Sequence, residues 1–242
     1  MTAPATRRGA LAAALDAVRE RIGHGCRAAG RDPDGVTLVV VTKTHPVEDV
    51  AHLTALGVLD VGESREQEGS TKHAALATGA FGAEGTAGPL WHFIGRLQGN
   101  KARAVAGWAD VVHSVDRPSL AAPLARGARE SGRTVECLLQ VSLDGDPARG
   151  GVPAAELERL AGEVAGQDGL RLCGIMAVAP LGADPWQAFG VLPDLLGVVR
   201  AVAPGAARIS AGMSGDLEAA LARGATHLRV GTAILGARPA PR

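Results

Sequence analysis

The sequence predicts an α/β fold, a single (β/α)8 barrel preceded by an N-terminal helix. Its 242 residues suit one such barrel. Eight strand-like runs alternate with helical patterns after one leading helix, and that alternation implies a parallel sheet, which eight units close into a barrel. Several runs are continuously apolar, as in strands buried on both faces. The barrel is expected over residues 9–236, with 1–8 and 237–242 as disordered tails.

Residues 9–29 make an Ala-rich amphipathic helix, stopped by Gly30 and the Asp32-Pro33 turn. VTLVVVTK (36–43) is the first strand. Pro46 opens a helix that Gly57 ends, and VLDVG (58–62) is the second strand. The polar SREQEGSTKHAALA is helical, and GAFGAEGTAGP (79–89) reads as a flexible loop. LWHFIG (90–95), ADVVHSV (109–115), TVECLLQVS (134–142), LRLCGIMAV (170–178), ARISAGMS (207–214) and HLRVGTAILG (227–236) supply the other six strands. Between them lie helices in QGNKARAVAG, after Pro118, in PAAELERLAGEVAG, after Pro185 and in GDLEAALARG.

Charge is balanced, with 25 basic and 25 acidic residues interspersed. That balance recommends neither nucleic acid nor an anionic membrane as a partner. Cys26, Cys137 and Cys173 are far apart and form no C-x-x-C pair, so they read as small buried hydrophobes, with no metal site or disulfide. Asp16, Arg19 and Glu20 interrupt any signal-like segment at the start, and a cytoplasmic location is expected. Tyrosine is absent, and the three lysines are Lys43, Lys72 and Lys101.

Working residues of such a barrel sit at the carboxyl ends of its strands. Lys43 leaves the first strand there, from an apolar barrel top that favours an uncharged amine. Such an amine can attack an aldehyde, although a solvated lysine ending a strand has the same sequence signature. The second feature is SAGMSGD (210–216), where Ser210, Gly212, Met213 and Ser214 precede the helix of GDLEAALARG. Gly231 and Thr232 follow the eighth strand. Loops after strands seven and eight are the usual phosphate site of this fold, although tight turns also demand glycine. An amine and a phosphate site together suit pyridoxal 5′-phosphate (PLP), held as a Schiff base on Lys43. Arg229 is then expected beside the cofactor ring, keeping the pyridine nitrogen unprotonated. His92 and Asn100 could line the mouth or contact the cofactor, but His92 reads equally as a core histidine bonded to backbone, and Lys101 as a solvated helix residue. GMSG lacks the G-x-S-x-G elbow, no Walker or G-x-G-x-x-G motif follows a strand, and Asp144 and Asp146 fit turn chemistry.

The segments VVVTKTHP, VGESREQE, WHFIGRLQGNK, VHSVDRP, GIMAVAP, SAGMSGDLEAAL and LRVGTAILGAR, in that order, resemble the pyridoxal phosphate homeostasis proteins. The likeness runs from about residue 11 to 238. It implies the barrel of the alanine racemase N-terminal domain and Lys43 as the cofactor lysine. It also implies that Ser214, Gly231 and Thr232 hold the phosphate and that Arg229 faces the pyridine nitrogen. The chain departs from the family pattern at two places. Ser64-Arg65 replace the family's Asn-Tyr, and Ser142 replaces an Asn that opens the strand-five loop, whose basic residue here is Arg149.

Carrier and enzyme readings compete. A two-base racemase needs an acid/base on each face of the substrate carbon. The related racemases use a tyrosine and an added C-terminal β domain, neither of which is expected here. The sequence therefore points to a PLP carrier that buffers the cofactor and passes it to PLP-dependent apoenzymes, with no catalytic residue. An amino-acid racemase and a cofactor-free Schiff-base aldolase are the alternatives. An uncovered barrel mouth points to a monomer.

Overall fold

The computed structural model describes residues 6–78 and 88–237. Eight parallel strands close a barrel in sequence order. They are β1 (Thr37–Val41), β2 (Asp60–Glu63), β3 (Leu90–Phe93), β4 (Val111–Val115), β5 (Val135–Gln140), β6 (Leu170–Met176), β7 (Arg208–Ser210) and β8 (His227–Val230). The α-helices are α1 (Arg7–Ala28), α2 (Val47–Ala55), α3 (Glu66–Ala77), α4 (Ala102–Ala106), α5 (Ala121–Glu130), α6 (Leu157–Ala165), α7 (Pro185–Ala188), α8 (Leu192–Val202), α9 (Leu217–Ala222) and α10 (Thr232–Leu235). The predicted (β/α)8 barrel with a leading helix is the architecture found.

The leading helix has a structural task. Leu11, Leu15, Val18, Ile22 and Cys26 recur at helical spacing and are all buried. That stripe packs α1 against α2, α9 and α10, across the join where β8 meets β1. The helix starts at Arg7, earlier than expected, because the Thr6 hydroxyl accepts from the Gly9 N–H and Arg7 donates to the Asp49 carboxylate at 2.8 Å. Residues 6–8 therefore belong to the cap and first turn of α1, not to a disordered tail. The remaining tail positions, and 79–87 of the expected flexible loop, lie outside the described residues.

Strand edges differ from the sequence expectation in one instructive place. The second strand begins at Asp60, not Val58, because the Val58 N–H is spent on the Leu53 carbonyl, closing α2. Leu59 is consequently exposed. The three cysteines are buried and unpaired with one another, and burial pushes the Cys137 thiol far above its ordinary range. Among the described residues no helix is long and apolar enough to cross a membrane.

Candidate cofactor site

The site is built where β7, β8 and β1 lie side by side. Strand β1 ends at Val41, so Lys43 stands two residues beyond it, half-buried in a turn. Three groups tie down the backbone on either side of that lysine. Lys72 Nζ donates to the Thr42 carbonyl at 2.9 Å, and the Thr42 hydroxyl donates to Glu63 Oε1 at 2.6 Å. The Thr44 N–H donates to Glu68 Oε1 at 2.5 Å, with Thr44 at φ 67°, a conformation β-branched residues rarely adopt. Lys72 Nζ also binds Glu63 at 2.8 Å and Glu68 at 2.7 Å. A buried lysine between two glutamates thus holds both flanks of Lys43 against local strain.

The loop after β7 meets the loop after β8 beside that turn. Gly212 is buried at φ 90°, and a Cβ there would lie 2.7 Å from Ala220 Cβ and 2.9 Å from Leu228. Gly212→Ala is expected to cost about 2–4 kcal/mol, from the left-handed backbone and the overpacking together; thermal denaturation measures it. Met213 and Ser214 then reach the surface, and Arg21 of α1 donates to the Ser214 carbonyl at 2.6 Å. The expected long helix start shrinks to the six-residue α9, because Asp216 Oδ1 accepts from the Met213 N–H and makes a turn first. Gly231, half-buried, packs close to β1: a Cβ would lie 3.1 Å from the Val41 carbonyl oxygen. Thr232 is exposed next to it. The Ser214 and Thr232 hydroxyls and small backbone at Gly212 and Gly231 are a donor set suited to a phosphate at the barrel rim.

Arg229 lies deeper. It is 5% exposed and donates from Nη1 to Ser210 Oγ at 2.5 Å and from Nη2 to the Ala177 carbonyl at 2.9 Å. Burial lowers its pKa to about 10, so it stays charged at neutral pH. Ser210 is fully buried, and its hydroxyl is engaged by Arg229 and His113. It stands behind the arginine, away from the loop that holds Ser214. The donors therefore divide into a rim set on β7–β8, an amine after β1 and a buried guanidinium inside. That division fits a phosphorylated aromatic aldehyde: an anion for the rim, a carbonyl for the amine, a ring nitrogen for the guanidinium.

Lys72, His113 and His227 do not stand out from the sequence alone. Lys72 sits in a polar helix segment and looks solvated until β2 supplies Glu63. The barrel interior also holds His92, His113 and His227, all buried. His92 bonds to side chains, Asp60 at 2.9 Å and His113 at 2.8 Å, and not to backbone. The signal was His113 and Ser114 inside an otherwise all-valine strand.

Burial lowers the His227 pKa to about 4, with the His92 and Arg208 charges adding to the effect. Burial also drives that of His113 well below its usual value. A histidine whose folded pKa lies below its unfolded value of about 6.5 gives the unfolded chain more protons in between. Its contribution to stability is then full above pH ~6.5 and lost progressively toward pH 4, on the order of 3 kcal/mol for His227 alone. Burial also lowers His45 and His73, whereas Glu63, raised by burial, acts in the opposite sense. Four histidines against one carboxyl predict a denaturation midpoint in urea that falls steadily between pH ~6.5 and ~4.

A cavity of about 710 Å³ lies beside this site, lined by Ser64, Arg65, Glu68, Lys72, Arg96 and Lys101 among others. None of the proposed cofactor residues lines it. Ser64-Arg65, which depart from the family's pair, face this side cavity. Lys101 is partly exposed and pairs with Glu66 at 3.1 Å. Arg149 donates to the Ala179 carbonyl at 2.6 Å and pairs with Asp144, holding the loop after β5 against the end of β6.

The chain has relatives among known proteins. Residues 14–239 match the family model described as alanine racemase, N-terminal domain. The chain is 43% identical over 245 residues to the pyridoxal phosphate homeostasis protein of Mycobacterium tuberculosis, covering 96% of this chain and 94% of that one. It is 44% identical over 215 residues to the protein of that name from Corynebacterium glutamicum, covering 86% and 93%. PipY of Synechococcus elongatus, solved with PLP bound, superposes with a TM-score of 0.79 at 32% identity, over 93% of this chain and 100% of that one. The chain belongs to the pyridoxal phosphate homeostasis protein family.

Proposed function

We propose that this protein binds PLP covalently through Lys43 and serves as a carrier that buffers the cofactor and supplies it to PLP-dependent apoenzymes. The observation that carries the reading is the position of Lys43, one strand from the Gly231-Thr232 loop and two from Ser214, with Arg229 charged and buried inside the same barrel mouth. When bound, the cofactor supplies an aldehyde that condenses reversibly with an amine, releasing water. Lys43 supplies that amine from a turn held on both sides. Ser214, Gly231 and Thr232, with Gly212 and Met213 shaping the loop, take the phosphate. Arg229 donates toward the ring nitrogen and leaves it unprotonated, because a guanidinium charged at neutral pH does not readily give up its proton.

A weak electron sink suits storage better than carbanion chemistry. The absence of tyrosine removes the second base that the related racemases use. Cofactor exchange between the protein and solution needs only the reversible amine chemistry at Lys43.

The test is transfer. PLP-loaded protein is mixed with a PLP-depleted aminotransferase apoenzyme in the presence of a scavenger of free PLP, and enzyme activity is followed. Reactivation exceeding that from an equal amount of free PLP is expected, with no racemisation of L- or D-alanine by the carrier itself. Robust turnover of either enantiomer overturns the carrier reading in favour of an amino-acid enzyme.

A further inference from the structure

A file of polar side chains crosses the barrel interior, and only its last member, Arg229, has a part in the proposed cofactor site. It begins at Asp60, the first residue of β2 and so at the amino-terminal end of the barrel, where Oδ1 lies 2.9 Å from His92 Nε2. His92 Nδ1 lies 2.8 Å from His113 Nε2, and His113 Nδ1 lies 2.9 Å from Ser210 Oγ. Arg229 Nη1 closes the file on Ser210 Oγ at 2.5 Å. Five strands contribute one residue each: β2, β3, β4, β7 and β8. His92, His113, Ser210 and Arg229 are all buried, and the Asp60 side chain is 17% exposed.

The two ends fix the direction of every bond between them. A guanidinium only donates, so Ser210 Oγ accepts from Arg229. A carboxylate only accepts, so His92 Nε2 carries a hydrogen. Ser210 is sealed from water, and the acceptor left for its own hydrogen among the described residues is His113 Nδ1. His113 Nδ1 is therefore bare, its hydrogen sits on Nε2, and it donates to a bare His92 Nδ1. The donors then run one way: Arg229 to Ser210 to His113 to His92 to Asp60. The reverse order would need a second hydrogen on His92 and would strand the Ser210 hydroxyl hydrogen in a dry interior. Aligned bonds of this kind polarise one another, so the order is shared by the whole file. His227 flanks it, its ring 6.3 Å from both histidines, but bonds to Thr226 instead.

We infer that Ser210 and His113 are positioning residues for Arg229, and that Asp60, acting through His92, sets the hydrogen order that makes Ser210 an acceptor for the guanidinium. With Ser210 Oγ and the Ala177 carbonyl both fixed, the guanidinium has two anchored edges. The meaning for the cofactor rests on the proposed role of Arg229, while the hydrogen order does not depend on it.

The experiment is nitrogen-15 NMR of the imidazoles of the full chain without PLP at neutral pH, followed by visible spectra of loaded variants. His92 and His113 are both expected as the Nε2–H form with unprotonated Nδ1, and Asp60→Ala is expected to change the nitrogen shifts of both. His113→Leu is expected to shift the absorption maximum of the loaded protein and weaken PLP binding about tenfold. His113→Asn, which keeps an acceptor near the Nδ1 position, is expected to restore the maximum. An Nδ1–H form at either histidine in the wild type overturns the inference, whether or not the variants fold. So does a folded His113→Leu with the wild-type absorption maximum. A protein that binds no PLP yet shows both Nε2–H forms defeats the cofactor reading and leaves the file standing.

Discussion

Lys43→Ala takes up no PLP as a reducible adduct, while its far-UV circular dichroism and melting temperature stay close to wild type. Lys43 lies outside β1 in a half-buried turn, so its loss removes an amine without opening the core. The flanking bonds of Thr42 and Thr44 use backbone and Thr42 hydroxyl atoms that the substitution leaves in place. Residual non-covalent binding through the β7–β8 rim is expected, detectable by equilibrium dialysis but without the yellow imine band. A covalent adduct formed at the wild-type level would move the assignment to another amine.

Lys72→Met is the second large effect, on stability first and on cofactor uptake through it. Glu63 is fully buried, its Oε2 has no hydrogen-bond partner among the described residues, and burial pushes its carboxyl upward while Lys72 pulls it down. Removing the ammonium leaves the Thr42 hydroxyl bond alone to oppose the upward push of burial and Glu68, together with an uncompensated charge. The expected cost is about 3–5 kcal/mol, a drop of roughly 10 °C or more in melting temperature for a chain of this size. Glu63→Gln in the Lys72→Met background removes the stranded charge and is expected to recover about half of the loss. Full additivity of the two substitutions would show that the pair is not coupled. Adduct formation should slow in Lys72→Met even below its melting range, because the turn carrying Lys43 loses its grip on the Thr42 carbonyl.

The barrel was legible because its signals are local and repeated. Continuous apolar runs such as VTLVVV announce strands buried on both faces, and the 11-15-18-22-26 spacing announces the face α1 buries. The placement of Gly212, Ser214, Gly231 and Thr232 after the seventh and eighth strands was legible too, and the phosphate role proposed for them rests on where this fold places phosphate. What local pattern cannot carry is pairing across the barrel. Glu63 meets Lys72 across nine residues, Asp60 meets His92 across thirty-two, and Ser210 meets His113 across ninety-seven. Each looks ordinary alone. Ser210 in particular reads as one more small residue of a ligand loop, and closure of the sheet turns it inward behind Arg229. Strand ends failed for a different reason: the Val58 N–H is claimed by α2, a choice between helix and strand that apolar character does not register.

Everything proposed for the cofactor turns on Lys43 as the residue that holds PLP. The most direct measurement is borohydride reduction of the PLP-loaded wild-type protein, followed by proteolysis and mass-spectrometric mapping of the pyridoxyl group. Three lysines make the answer sharp. Loss of the yellow imine band on reduction and a single modified site at Lys43 are expected. A pyridoxyl group on Lys72 or Lys101, with Lys43 unmodified, would contradict that assignment.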